Sequence, residues 1–202
     1  TQALFTAKAE LDAMIRVEVA LARVQAQLGV IPPDAGPAIA AASRGLLIDP
    51  ASLAQATARN GVPVPALVQE MRRQMAGDPA AAHLHWGATS QDIMDSALAL
   101  RLPPMLDLWG ARLDAVLTQL AALADRHATL PMAARTYGQT ATPTSFGAVA
   151  ASWGWPLLDH AQDLARVRDA VLRVSLSGAA GTLSAMGPQG PAVRAGLARA
   201  LD

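Results

Sequence analysis

Residues 90–128, SQDIMDSALALRLPPMLDLWGARLDAVLTQLAALADRHA, determine the fold of this chain. Apolar residues recur every three or four positions almost throughout the stretch, which predicts one long α-helix. The residues that mark its apolar face are Ile93, Ala97, Leu100, Leu106, Leu113, Leu117, Leu120 and Ala124. At 1.5 Å per residue this helix would be on the order of 55 Å long, far beyond an ordinary globular helix. Pro103 and Pro104 are predicted to kink it, because each removes a backbone donor and crowds the preceding turn.

A second long helix is predicted after a polar, irregular connection over 129–142. Thr142 would cap this helix and Pro143 would occupy its first position. Its apolar residues are Phe146, Val149, Ala150, Trp153, Leu157, Ala161, Leu164, Val167, Val171 and Val174. A glycine-rich turn over 178–182 would end it, before a last helix from about Pro191. Two long antiparallel helices make a ribbon without a closed core, so we expect further helices to cover their apolar faces.

The preceding residues, 1–89, are predicted to form a small domain of short helices. Glycine and proline separate helical patterns at about 8–28, 36–44, 50–59 and 65–75. Glu10, Asp12 and Glu18 in the first of these helices are assigned to solvated faces. The predicted fold class is all-α, with this N-terminal helical domain followed over 90–202 by the long helices of an incomplete central bundle.

Composition excludes several classes of function. Sixteen basic and sixteen acidic residues give a net charge of zero, so neither nucleic acid nor an anionic membrane is an expected partner. The chain has no cysteine, which excludes disulfides and thiolate metal sites, and its four histidines are scattered. No apolar run approaches the roughly eighteen residues of a membrane span, and no secretory signal pattern is present. We therefore expect a soluble cytoplasmic protein without a metal.

A first polar cluster precedes the long helix at 85–92, HWGATSQD. Thr89 and Asp92 match a T-x-x-D capping box. The free N–H groups and the positive dipole end of a helix start favour an anionic ligand there. The alternative is a capped helix beside a surface histidine, His85.

Two further polar clusters follow. The second, RTYGQTATPT at 135–144, brings a guanidinium, a phenol, an amide and several hydroxyls to the predicted start of the second long helix. It predicts either another anion site or a solvated loop with a helix cap. The third, SGAAGT at 177–182, could bring backbone N–H groups to a ligand or could be a plain helix end and turn.

In this order and separation, the clusters resemble the fumarase/aspartase superfamily. His85-x-Gly87-x-Thr89-Ser90-x-Asp92 is similar to its first signature, and Arg135-Thr136-x-x-Gln139-x-Ala141-x-Pro143-x-x-x-Gly147 is similar to its second. GATSQDIMD at 87–95, VEVALAR at 17–23 and MGPQGPAV at 186–193 resemble more closely the 3-carboxy-cis,cis-muconate cycloisomerase branch of protocatechuate catabolism. The resemblance extends over nearly the whole chain.

This resemblance implies a homotetramer whose long helices form a shared bundle, with active sites built from three subunits. It implies a reaction at the carbon β to a carboxylate, through an aci-carboxylate-like carbanion. In the cycloisomerase branch, one carboxylate of the muconate adds across a double bond and closes a γ-lactone. No cofactor is implied, because the carboxylates of the small di- or tricarboxylate substrate act as the electron sink.

The first signature implies individual roles. Thr89 and Ser90 would bind a substrate carboxylate, with Gln91 beside them. His85 would orient the substrate or take part in proton transfer, and Asn60 in the preceding proline-containing loop would line the same site.

The second signature implies that Arg135 and Thr136 frame the site and that Gln139 binds substrate. This chain departs from relatives with histidines in the signature, since it has Tyr137 and Thr140 in their place. His85 or Tyr137 is therefore the candidate for proton transfer, although a phenol is a poor base at neutral pH.

The third signature of the superfamily, a serine-bearing G-S-S-x-M-P-x-K-x-N-P loop, does not occur in these 202 residues. Three functions therefore stay open at this point. The first is a cycloisomerase represented by its N-terminal part. The second is another β-elimination lyase of the superfamily, such as an adenylosuccinate lyase-like enzyme, although loss of the histidines argues against the purine type. The third is a catalytically inert, truncated helical assembly module.

Overall fold

A computed structural model describes residues 2–202 and forms seven α-helices and one two-stranded antiparallel sheet within them. The helices are α1 (Ala7–Gln27), α2 (Ala35–Ser43), α3 (Pro50–Asn60), α4 (Val64–Gln74), α5 (Ser90–Arg126), α6 (Phe146–Val171) and α7 (Gly190–Leu201). The strands are β1 (Pro131–Thr136) and β2 (Gln139–Ser145). The predicted all-α class is confirmed.

The chain divides into two compact units. The first comprises the chain up to Leu102 together with Leu172–Asp202, and the second comprises Pro103–Val171. Sequence alone grouped residues differently, as 1–89 and 90–202, and that domain boundary stays a prediction. Helix α5 is continuous through Pro103 and Pro104, where the two units divide.

The first unit is built around α1. Thr6 caps this helix by accepting a hydrogen bond from Ala9 N at 3.1 Å, and Gly29 follows its end with a φ of 71°. The largest fully buried apolar side chains of the unit come from five helices and from the segments that precede α5 and follow α6: Leu21, Ile39, Leu67, Met71, Leu84, Ile93, Leu176 and Leu197. Burial of each such side chain contributes about 1.5–3 kcal/mol.

The C-terminal residues of the chain complete this unit. Ser96 Oγ, on α5, donates to Ser175 O and accepts from Ser175 N, both at 3.0 Å. The close packing of α7 on α1 requires Gly196, because a Cβ there would lie 2.6 Å from Val24 Cγ1. The prediction that this helix continues to the glycine-rich turn at 178–182 was wrong: α6 ends at Val171, and backbone groups of Ser175 instead bond Ser96 on α5.

In the second unit, the C-terminal part of α5 runs antiparallel to α6. Arg168 Nη1 donates to Asp107 Oδ1 at 2.6 Å at one end of the pair. At the other end a Cβ on Gly147 would overlap Ala124 O, so only glycine fits there. Trp153 and Trp155 are exposed, the latter by 70%, and this unit is the ribbon that the pattern predicts.

A β-hairpin replaces the predicted irregular connection before α6. Strands β1 and β2 pair around Tyr137 and Gly138, whose φ values of 48° and 77° suit a two-residue type I′ turn. The prediction that Thr142 and Pro143 begin the helix was therefore wrong, since both lie in β2. Ser145 caps α6 by accepting from Ala148 N at 3.1 Å. The alternating threonines of β2 favour a strand, and this preference outweighs the helix-start signal of Thr142-Pro143.

Within residues 2–202, no helix has an apolar stretch long enough to cross a membrane.

Candidate functional site

The start of α5 carries the first polar cluster. Asp92 Oδ2 accepts a hydrogen bond from Thr89 N at 3.0 Å, which is the carboxylate half of the predicted capping box. The helix begins at Ser90, as predicted from the sequence. This bond fixes the backbone that leads into the helix N-terminus.

Asp92 also joins the first cluster to the third. Its side chain is buried and accepts from Ser177 N at 2.9 Å, Ser177 Oγ at 3.2 Å and Gly178 N at 2.9 Å. Four donors therefore satisfy a carboxylate that would be costly to bury alone. The backbone N–H groups of Ser177 and Gly178 donate to Asp92 and are therefore not available to a ligand. At these two residues the third cluster is neither a ligand-binding loop nor a plain helix end, because it holds the start of α5.

The hydroxyls of Thr89 and Ser90 remain free for a ligand. Both residues are half-buried, and neither hydroxyl forms a hydrogen bond within the described part of the chain. Gln91 lies on the exposed face, where its amide donates to Asp95 Oδ1. The arrangement combines two hydroxyl donors with a helix N-terminus, which suits a carboxylate or another anion.

His85 pairs with a buried glutamate that the sequence analysis placed on a solvated face. Glu18 on α1 is fully buried, and its Oε1 lies 2.6 Å from His85 Nδ1. The assignment of Glu18 to solvent was wrong, because the face of α1 that carries it packs against the segment before α5. The His85 side chain is 20% exposed, so it stays partly accessible.

The backbone around His85 is tightly held. Gln25, also fully buried on α1, donates from Nε2 to Trp86 O at 2.7 Å. Gly87 has a φ of 69°, and a Cβ there would lie 3.2 Å from Met186 side-chain atoms. Glu18 and Gln25 are the residues that sequence reasoning missed. The sequence pattern that could have identified them is a pair of polar residues, seven positions apart, on a helix face that is otherwise apolar.

The second polar cluster lies on the hairpin of the second unit. Arg135 Nη1 donates to Thr140 Oγ1 across the strand pair at 3.0 Å. Thr136 and Gln139 form the pair that closes the turn, and Tyr137 at its tip is fully exposed. These side chains form one polar, exposed hairpin end that can meet an anion through Arg135.

The predicted site residues therefore belong to different parts of the chain. His85, Thr89, Ser90 and Gln91 are close in sequence in the first unit, whereas the hairpin residues belong to the second. Asn60 is the exposed last residue of α3, and no hydrogen bond of its side chain occurs within residues 2–202. No group of three or more histidine, aspartate or glutamate side chains in those residues could hold a metal ion.

Comparison with known proteins gives a consistent result. The family model described as lyase matches residues 2–201. A 3-carboxy-cis,cis-muconate cycloisomerase of Pseudomonas aeruginosa is 42% identical over 99% of this chain and 44% of its own length. A nitrosuccinate lyase of Streptomyces davaonensis is 42% identical over 86% of this chain and 37% of its own.

The fold has a solved counterpart as well. The crystal structure of the 3-carboxy-cis,cis-muconate lactonizing enzyme from Pseudomonas putida matches with a TM-score of 0.91 and 37% identity, over 99% of this chain and 46% of that one. The chain thus spans less than half the length of these relatives.

Proposed function

The chain belongs to the lyase family, and on that premise we propose that it forms the N-terminal part of a 3-carboxy-cis,cis-muconate cycloisomerase. The reaction joins one carboxylate oxygen of the muconate to an alkene carbon and closes a γ-lactone, while the π bond breaks and the other alkene carbon gains a proton. The observation that carries the proposal is the pair of free hydroxyls on Thr89 and Ser90 at the N-terminus of α5, in a chain 42% identical to such an enzyme.

In this proposal Thr89, Ser90 and the N-terminus of α5 bind a carboxylate of the substrate. The Thr89 and Ser90 hydroxyls donate to a substrate carboxylate, and the first N–H groups of α5 add the positive end of the helix dipole. Negative charge that develops on this carboxylate during addition is stabilised by the same donors. Gln91 lies beside the carboxylate, and Asp92 keeps the backbone of this site in place from within the protein.

The β1–β2 hairpin and α3 supply further residues that contact the substrate in this proposal. Arg135 and Thr136 frame the substrate and Gln139 donates to it, while Asn60 lines the site from α3. We propose a homotetramer in which different subunits bring these residues together, with the rest of the protein supplying further groups. The exposed tryptophans of the second unit support this assembly, because an apolar ribbon needs partners.

His85 and Tyr137 are the two proposed proton-transfer residues. The contacts favour His85, since its ring is held by Glu18 and stays partly accessible, whereas Tyr137 is fully exposed at a turn. The proposal includes action in the cytoplasm on the protocatechuate branch of aromatic catabolism, without a cofactor.

The test is an assay of the full-length protein with 3-carboxy-cis,cis-muconate, followed through the fall of its ultraviolet diene absorption. Ser90→Ala should lower kcat/KM by about 10- to 100-fold, because a hydrogen bond to a charged group is worth about 1.5–3 kcal/mol. Ser52→Ala is the matched control, since Ser52 lies in the first turn of α3, is exposed and is remote in sequence from the site. No fall in absorption at micromolar enzyme would refute the proposal.

A second candidate is a β-elimination lyase that releases an unsaturated dicarboxylate from a substituted succinate. The 42% identity to a nitrosuccinate lyase favours it, because the same carboxylate-binding residues would serve that reaction. Turnover of a substituted succinate, with no consumption of the muconate, would select this candidate. An inert assembly module would turn over neither substrate, and Ser90→Ala would not change its ligand binding.

A further inference from the structure

Two buried polar side chains of α1 hold the segment that carries His85. Glu18 and Gln25 lie seven residues apart and so occupy the same face of the helix. Glu18 contacts the ring of His85, and Gln25 donates to the carbonyl of the next residue, Trp86. One ring and one backbone carbonyl are therefore fixed from a single helix face.

This segment has a backbone conformation that needs such support. His85 has a φ of 62°, in the left-handed region that is unfavourable for a residue with a Cβ. Strain of this kind persists only where the surroundings over-determine it, and it concentrates at functional sites. Here the contacts from Glu18 and Gln25 hold His85 in this left-handed conformation.

The Glu18 carboxylate depends on His85. Glu18 is fully buried, its Oε2 has no hydrogen-bond partner within residues 2–202, and its Oε1 contacts only the imidazole. A carboxylate can only accept a hydrogen bond, so in this contact Nδ1 is the donor to Oε1. The other ring nitrogen, Nε2, forms no hydrogen bond in the described residues, and the side chain is 20% exposed.

We propose that Glu18 is a positioning residue that keeps a proton on His85 Nδ1 and thereby reserves Nε2 for the substrate. The role at the substrate rests on the proposed function, whereas the position of the proton does not. A neutral His85 takes a proton from solvent at the Nε2 lone pair and then donates it to the alkene carbon that becomes carbanionic when the new C–O bond forms. When Nε2 takes a proton, the imidazolium lies beside the Glu18 carboxylate, which stabilises it.

Kinetics of the full-length protein test the role at the substrate. Glu18→Gln keeps the size of the side chain and should lower kcat by about 10- to 100-fold, with a much smaller change in KM. Glu10→Gln, on the same helix and without a side-chain hydrogen bond, should leave both constants unchanged. Because Glu18 acts through His85, the double variant Glu18→Gln/His85→Gln should be no slower than His85→Gln alone. Additive losses would overturn the proposal.

Nitrogen-15 NMR of the full-length protein labelled at histidine tests the position of the proton without any substrate. The His85 signals are those that disappear in His85→Gln. Nδ1 should carry a proton in the parent protein, and Glu18→Gln should shift that proton toward Nε2. An unprotonated Nδ1 in the parent would overturn this inference while leaving the cycloisomerase proposal intact. A protonated Nδ1 without muconate turnover would overturn only the cycloisomerase proposal and the role of Glu18 in it.

Discussion

Replacement of Asp92 by asparagine tests whether one buried carboxylate organises the start of α5. The carboxylate accepts from Thr89 N, Ser177 N, Ser177 Oγ and Gly178 N. An amide has one acceptor oxygen and one donor nitrogen, so it cannot serve all of them. In its best orientation the oxygen serves Thr89 and Gly178, the Ser177 hydroxyl turns to accept, and the Ser177 N–H faces another donor.

The expected cost follows from this geometry. One backbone N–H loses a charged acceptor, which costs about 1.5–3 kcal/mol. Loss of negative charge from the first turn of α5 costs about 0.3–1 kcal/mol more. The sum of about 2–4 kcal/mol corresponds to amide exchange about 30- to 1,000-fold faster where these contacts hold the chain.

Hydrogen exchange read by mass spectrometry on the full-length protein measures this change. Peptides that cover 172–183 and 87–92 should exchange faster in Asp92→Asn. Asp95→Asn is the matched control, because Asp95 lies on the exposed face of α5 and, within residues 2–202, its side chain accepts only from Gln91. Unchanged exchange in Asp92→Asn, or equal acceleration in Asp95→Asn, would refute the reasoning.

Three other predictions concern separate parts of the chain. Hydrogen bonds from Arg73 and then Gln74 lower the pKa of Glu70 from 4.5 to about 2, so the stabilisation from this carboxylate should be present above pH 4.5 and lost as the pH falls toward 2. Glu70→Gln should remove that pH dependence from urea unfolding and cost less than about 1 kcal/mol at pH 7, since the pair is near the surface; a dependence identical to that of the parent would contradict this. Gly147→Ala should destabilise the second unit by about 1–3 kcal/mol, because its Cβ would meet backbone atoms of Ala124 and Ala128. Gly110→Ala, with its nearest neighbour at 3.8 Å, should instead raise the melting temperature, and equal effects of the two would show the packing argument to be wrong. Tyr137→Asn should preserve the hairpin, because Asn-Gly suits its turn, and should leave kcat nearly unchanged if His85 transfers the proton; a large fall in kcat with the hairpin intact would assign the phenol to the reaction.

Local signals predicted the helices well. The apolar period and Gly29 predicted a first helix at about 8–28, and α1 spans Ala7–Gln27. The same reasoning found the start of α5, because the cap and the period agree there. The hairpin was missed since Thr142 and Pro143 carry a genuine helix-start pattern, and only the pairing of β2 with β1 outweighs it.

Contacts distant in sequence could not be predicted in this way. Glu18 reads as a surface residue until His85, sixty-seven residues later, is packed against it. The capping role of Asp92 was visible locally, but its three other donors come from Ser177 and Gly178. For the candidate site, sequence identified the residues that can bind a ligand, whereas the residues that hold them in place emerged only from the fold.

Because α7 packs on α1, the apolar face of α1 cannot be fully buried until α7 has been translated. Helix α1 is translated well before its partners on α7, since Gly196 contacts Val24 and Leu201 O accepts from Arg16. At 5–20 residues per second, the apolar face of α1 waits roughly 10 to 35 s for α7. The nascent chain therefore exposes that face until α7 emerges, and chaperone binding to α1 is expected to end only once α7 has been translated.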